Sequence, residues 1–186
     1  MSPTPPKIST LDGVFKAVSP CLVWIHKLDS SGRRIDTSSG LILQPNRVAP
    51  ALQTIDSATK IEVEFANGRK VTVDELTGWS GTGDWAILKA DTGAFRRSLA
   101  ENRKMWVGER LIVFNFEANA RIIGGVDIGG RGSPAGFGER IQISPPVAFE
   151  AAGGPLLDPD GHAVGILGGS WIAGTLRQFP SCTAVT

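Results

Sequence analysis

Acid–base or nucleophilic chemistry near neutral pH needs a group that can take up a proton. This 186-residue sequence offers two histidines, His26 and His162, and two cysteines, Cys21 and Cys182. His26 lies inside "LVWIHKL", an apolar strand-like run, and reads as a satisfied strand residue. His162 follows "DPDG", a turn sequence, and reads as a hairpin residue. Two cysteines make neither a disulfide framework nor a zinc site; they pair only if the chain ends meet, and two separate thiols are the expected arrangement. "DPDGH" resembles the start of a calcium loop, but no glutamate closes it, and Leu156-Leu157 and Ala163-Val164 flank it as strands, so a hairpin turn is expected. "GGRGSPAGFGER" is glycine-rich without the lysine of a phosphate loop and without a surrounding βαβ pattern. No metal and no cofactor is expected. Asp84 opens the strand-like "DWAILKA"; aspartate is common in turns, and one carboxylate performs no hydrolysis alone. The run that decides the function is "VAFEAAGGPLLDPDGHAVGI".

The elements that would position these residues are mostly strands. "KIEVEFANGRKVTV" alternates apolar Ile61, Val63 and Phe65 with Glu62 and Glu64, turns at Asn67-Gly68 and resumes with Val71 and Val73, which predicts a hairpin. "CLVWIHKL", "GLILQ", "WAILKA", "RLIVFNF", "ERIQI" and "HAVGIL" are further strand-like runs, punctuated by Gly, Pro, Asn or Asp at the spacing of a barrel or sandwich. With 23 glycines and 12 prolines, long helices are disfavoured. Helical signals are confined to "LDGVFKAV" and to "GAFRRSLAENRKM", the latter equally readable as a turn-rich connector. The expected organisation is a flexible Pro-rich tail over residues 1–9 and a single domain over 10–186. Within it, one barrel covers about 10–93, a connector 94–104 and a second barrel about 105–182. The five tryptophans, at 24, 79, 85, 106 and 171, are too scattered for a stacking platform and are expected to fill core or barrel-end positions.

Composition bounds the partners. Apolar residues make up 41% and charged residues 20%, the balance of an ordinary globular chain. A net charge of +1 gives no electrostatic case for nucleic acid or for an anionic membrane. Arg96, Arg97, Arg103 and Lys104 read as a solvated linker face. No apolar run reaches the length of a membrane span, and "MSPTPPK" has no apolar core of a leader. The sequence leaves the compartment open: extracytoplasmic (periplasmic or secreted) if the chain is a processed or excised piece, otherwise cytoplasmic.

Five segments, in order and spanning nearly the whole chain, resemble the trypsin-like protease domain of the HtrA (Deg) family. "VFKAVSPCLVWI" is similar to that family's opening helix and first strand, and "SSGLIL" to the strand leading toward its catalytic histidine. "DWAILKAD" is similar to the segment carrying the catalytic aspartate, and "VGERLIVFNF" to the strand opening the second barrel. "RIQISPPVAFEAAGGPLLDPDGHAVGI" resembles the nucleophile loop with its following hairpin, and "FPSCTAV" the step before a C-terminal helix. The resemblance implies an all-β fold: two antiparallel six-stranded β-barrels of the trypsin/chymotrypsin type with the active cleft between them. It also implies that "GGRGSPAGFGER" is a mobile loop of the second barrel.

The same resemblance implies a serine, a histidine that takes its proton, an aspartate that orients the imidazole, and backbone N–H groups that hold the oxyanion. Here Asp84 matches the aspartate, but Gln53 in "VAPALQTID" stands at the histidine position. An amide has no useful proton affinity, although its side chain could donate to Asp84. Ala152 stands at the serine position and Glu150 at the oxyanion-hole glycine, where a carboxylate opposes developing negative charge. Neither His26 nor His162 approaches the implied cleft, and Ser144, Ser170 and Ser181 lie on other segments. A lone engineered Ser→Ala would leave the histidine and glycine in place, so the pattern is that of a pseudoprotease.

The implied function is a non-catalytic protein- or peptide-binding or scaffold module. An extended peptide would add as a strand along "GILGGSW", at Leu167, Gly168, Gly169 and Ser170. Two other readings stay open: a hydrolase with a rearranged site around Asp84, and an architectural domain of a longer polypeptide. Homo-oligomers and appended PDZ domains are common in the family.

Overall fold

The computed structural model describes residues 10–73, 75–93, 103–117, 120–133, 138, 140–147, 151–168 and 181–184, with backbone alone at 115–117, 120–121 and 181–184. The Pro-rich tail, most of the connector, Trp171 and part of the glycine-rich run lie outside these residues.

The chain enters through helix α1, Leu11–Val18. Thr10 caps it, its hydroxyl accepting from Gly13 N at 3.1 Å, and Pro20 ends it in a short 3-10 turn over Ser19–Cys21. Val14 and Val18 of the helix are buried with Cys21, Leu22 and Leu41 from one side and Ile112, Phe114, Leu157 and Ala163 from the other. This cluster draws on both halves of the chain and forms the seam between them.

The first half is an antiparallel sheet of β1 Leu22–Leu28, β2 Arg34–Gln44, β3 Arg47–Pro50, β4 Lys60–Phe65, β5 Lys70–Val73, β6 Leu76–Ser80 and β7 Trp85–Lys89. Its order is β5-β4-β1-β2-β3-β7-β6. The two edges, β5 and β6, are consecutive in the chain. Val73 ends one and Leu76 begins the other, a step of at most about 10 Å, so the sheet must curl until its edges meet. The expected sixfold barrel is therefore present with its fifth strand broken into two pieces. Inside it pack Val23, Ile25, Ile42, Val48, Val63, Phe65, Val73 and Leu88, the alternate positions of their strands. The Asn67-Gly68 reversal falls where the sequence places it: Gly68 sits at φ +80°, its N–H bonded to Phe65 O over 2.8 Å.

The second half is a closed barrel of β8 Arg110–Glu117, β9 Ala120–Gly132, β10 Arg140–Ser144, β11 Pro155–Leu157, β12 Ala163–Gly168 and β13 Ser181–Ala184, in the order β10-β13-β12-β11-β8-β9. Leu111, Val113, Val126, Ile128, Ile141, Ile143, Leu156, Val164 and Leu167 fill it. Here the structure corrects the sequence reading twice and adds one strand to it. Gly129–Gly132 of the glycine-rich run belong to β9, and Gly130–Gly132 pair with β10 rather than forming a loop. "SCTA" is a strand that closes the barrel between β10 and β12. Of the four described tryptophans none is fully buried, and Trp79 and Trp106 are 63% and 60% exposed. The "DPDG" turn is as expected, a tight hairpin joining β11 to β12 with Gly161 at φ +82°. Cys21 is buried in the seam, and Cys182 pairs in β13 with Ile141 and Leu167. No helix among the described residues is long and apolar enough to cross a membrane.

Candidate functional site

Asp84 occupies the residue before β7, 2% exposed and at φ +53°, a left-handed conformation that aspartate tolerates better than most side chains. Facing it is the one-turn helix α2, Leu52–Ile55. Helices begin with unsatisfied N–H groups, and the N-cap residue here is Ala51, whose methyl group bonds to none of them. Asp84 supplies the acceptors from across the barrel. Its carbonyl oxygen takes the Leu52 N–H at 3.2 Å, and its carboxylate Oδ1 takes the Gln53 N–H at 2.9 Å. Gln53 thus meets Asp84 through its main-chain amide.

Ala152 comes from the second barrel, 4% exposed, in the turn preceding β11. Its carbonyl accepts the Ser39 N–H of β2 at 3.0 Å, one of the main-chain bonds that join the two barrels. Gly153 follows at φ +84°, and a Cβ there would lie 2.1 Å from Ser39 O and 2.9 Å from Ala51 N. Only glycine permits that approach. Ala51 is the residue from which α2 starts, so the turn carrying Ala152 packs against the base of the helix carrying Gln53. Gln53, Asp84 and Ala152, far apart in sequence, are gathered at the seam. Two further bonds hold the Asp84 loop to the second barrel. The Thr82 carbonyl accepts from Gly138 N at 3.0 Å and from the Nη2 of Arg140, itself only 4% exposed, at 3.1 Å. The sequence carried little signal for this clamp beyond an arginine in the strand-like "ERIQI".

The turn is also fastened to β12. Gly153 N donates to Leu167 O at 2.7 Å, and Leu167 N donates to Gly154 O at 2.9 Å. Leu167 is 1% exposed, and both of its main-chain polar groups bond to this turn. The main-chain groups of Leu167 are therefore not open to an added strand. Glu150, Gly169 and Ser170 lie outside the described residues.

The two histidines stand elsewhere. His26 lies in β1, 2% exposed, with Nδ1 3.0 Å from Thr37 Oγ1 and Nε2 2.9 Å from Glu64 Oε2. Burial pushes its pKa below the ordinary value, while the hydrogen bond to Glu64 pulls the other way. His162 sits on the Asp158 turn, its Nδ1 3.4 Å from Asp158 Oδ2. Among the described residues no group of three His, Cys, Asp or Glu side chains gathers to hold a metal ion. At the seam, the Ala152 side chain is a methyl group and the Gln53 side chain ends in an amide. The Asp84 carboxylate holds a helix terminus.

No family model matches the sequence, and no curated protein matches it. Solved structures do match. The chain superposes on an inactive form of the Rv3671c protease with a TM-score of 0.72 at 18% identity, covering 92% of this chain and 86% of that one. It superposes on a serine endoprotease from Yersinia pestis with a TM-score of 0.76 at 19% identity, covering 95% and 63%. Against the HtrA-type protease AlgW with a decapeptide the TM-score is 0.74 at 16% identity, covering 92% and 62%. The chain spans less than two thirds of the last two. At these identities the likeness shows the fold, and that fold is the double β-barrel of HtrA-type, trypsin-like serine proteases.

Proposed function

We propose that this domain is a non-catalytic, trypsin-like pseudoprotease that holds a protein or an extended peptide. The observation that carries the reading is the turn at Ala152. Gly153 keeps the close, left-handed approach to Ser39 and Ala51 on which the turn depends, while the side chain that would attack a carbonyl is a methyl group. Gln53 cannot accept the proton of a hydroxyl. Glu150, in the sequence two residues before Ala152, would repel a developing oxyanion. Asp84 has a sufficient structural reason to be an aspartate, because α2 has no cap of its own.

Binding by strand addition uses main-chain groups and survives the loss of the triad. The AlgW neighbour was solved with a decapeptide, which supports a peptide as ligand class for this fold. The test is a titration of the domain into fluorescently labelled unfolded protein and a random peptide pool, read by anisotropy. Saturable binding is expected. A flat titration with both probes would remove the peptide-holding role and leave an architectural one.

A further inference from the structure

The first barrel leaves one strand edge open. β5 and β6 are two pieces of one strand that changes partner, from β4 to β7. Val73 pairs with Ile61, and β4 begins only one residue before that, at Lys60. From Leu76 on, β6 has β7 on one side and no described strand on the other. Among the described residues no further hydrogen bond reaches the main chain of Leu76–Ser80. Alternate residues of an antiparallel strand turn their N–H and C=O groups to opposite edges, so one set on β6 faces away from β7.

The side chains along this edge are unusual for their place. Leu76 pairs with Leu88 and Trp79 with Ala86, with a break in register at Thr77 between them. Cross-strand partners share a face of the sheet. On β7 that face is core, with Leu88 1% and Ala86 0% exposed; on β6, Leu76 is 44% and Trp79 63% exposed. The inward face of the barrel wall thus comes to solvent where β4 has ended. Exposed edges normally carry lysine, other charges or proline, which discourage pairing. β6 reads "LTGWS" and carries none of these. Glu75, just before it, already pairs with Lys89 of β7.

We infer that β6 is a docking edge for one extended segment of a partner polypeptide, which adds as a strand beside Leu76–Ser80 and lays apolar side chains against Leu76 and Trp79. The open main-chain groups supply the ladder, and the two exposed side chains supply the preference for apolar residues. An edge of five residues is about 17 Å long, the reach of a short extended peptide. That length favours a peptide over a second copy of the chain. Two copies joined through this edge alone would cover far less than the roughly 1,200 Å² at which stable, specific interfaces begin. The edge uses no residue of the Ala152 turn or of β12, so the inference does not rest on the cleft reading.

The test uses the full chain, a short fluorescein-labelled peptide alternating Val with Thr, and two forms of that peptide N-methylated at one or the other set of alternate amides. The variants are Leu76→Lys and Trp79→Lys; both residues are exposed, and matching thermal melts confirm that the fold is unaffected. The unmodified peptide is expected to bind saturably, with Kd raised about tenfold or more in Trp79→Lys. Methylation of one set of amides should raise Kd by a similar factor and methylation of the other set by less, because a single edge of the peptide carries the ladder. Absence of binding, binding undiminished in both variants, or binding that neither methylation weakens would overturn the proposal. So would a dimer of the free chain that ignores the peptide and dissociates in Trp79→Lys, since the edge would then serve a second copy. Repeated with Trp79→Lys, the unfolded-protein titration reads the cleft without this edge, so the two claims fail separately.

Discussion

Asp84 and Gln53 are joined by a hydrogen bond from a main-chain amide to a carboxylate, 2.9 Å from Gln53 N to Asp84 Oδ1. The Asp84 carboxylate completes the N-terminus of a four-residue helix. The residue is thus required by the fold whether or not chemistry occurs. Asp84→Ala leaves the Gln53 N–H buried without that acceptor and should cost roughly 1–3 kcal/mol. Asp84→Asn keeps an oxygen in place and a side chain at ease with positive φ, so it should cost less. Urea unfolding of the two variants orders them.

Gly153 is the tightest point of the seam. In Gly153→Ala the new methyl would stand 2.1 Å from Ser39 O, with φ at +84°. Backbone on both sides must move, and a loss of about 2–4 kcal/mol is expected. Gly32, also at positive φ but with nothing within 4 Å of its Cβ position, serves as the control. Gly32→Ala should cost only the left-handed backbone strain, about 1–2 kcal/mol. Equal effects would mean that the barrels are not in contact through Gly153.

Stability should depend on pH through His26. Burial lowers its folded pKa beneath the ordinary 6.5; Arg34 and Lys70 push the same way, and the Glu64 carboxylate opposes them. As pH falls through 6.5 the unfolded chain takes up a proton that the native state refuses, so stability declines from there down to the folded pKa. The slope is at most about 1.4 kcal/mol per pH unit for one group. Above that window the contribution is fully present. Urea midpoints between pH 5.5 and 7.5 should fall on acidification, and His26→Gln should flatten the curve relative to the native chain.

Restoring the hydroxyl alone should not restore chemistry. In Ala152→Ser the new Oγ has, among the described residues, no imidazole beside it to take its proton, and on the proposed reading Gln53 stands where the base would be. A fluorophosphonate probe should leave this variant unlabelled over a time in which an active serine protease is labelled completely. Rapid labelling of Ala152→Ser would show that another group acts as base.

Much of this fold is legible in the sequence because its signals are local. Alternation in "KIEVEF" with Asn67-Gly68 after it gives the β4–β5 hairpin, and the "DPDG" turn gives β11–β12. Thr10 and Pro20 bracket the helix that "LDGVFKAV" announces. That Gln53 and Ala152 carry no basic or nucleophilic side chain is equally readable, since it is a property of the residue itself. What the chain conceals are relations set by tertiary packing. The exposure of Trp79 and Trp106 contradicts their hydrophobicity and depends on which face the barrel turns outward. The strand pairing of Gly130–Gly132 is imposed by β10, against the low strand propensity of glycine. The bonds from Ser39 to Ala152 and from Asp84 to Gln53 link positions with no local pattern in common.

The central claim is that the domain holds polypeptide without cutting it. The most direct measurement incubates the purified chain with labelled unfolded protein, follows anisotropy to saturation, and then takes mass spectra of the same samples. The account predicts saturable binding with every substrate mass intact. Cleavage products that persist after repurification of the domain and vanish in Asp84→Asn would contradict it, and would make Asp84 part of a working site.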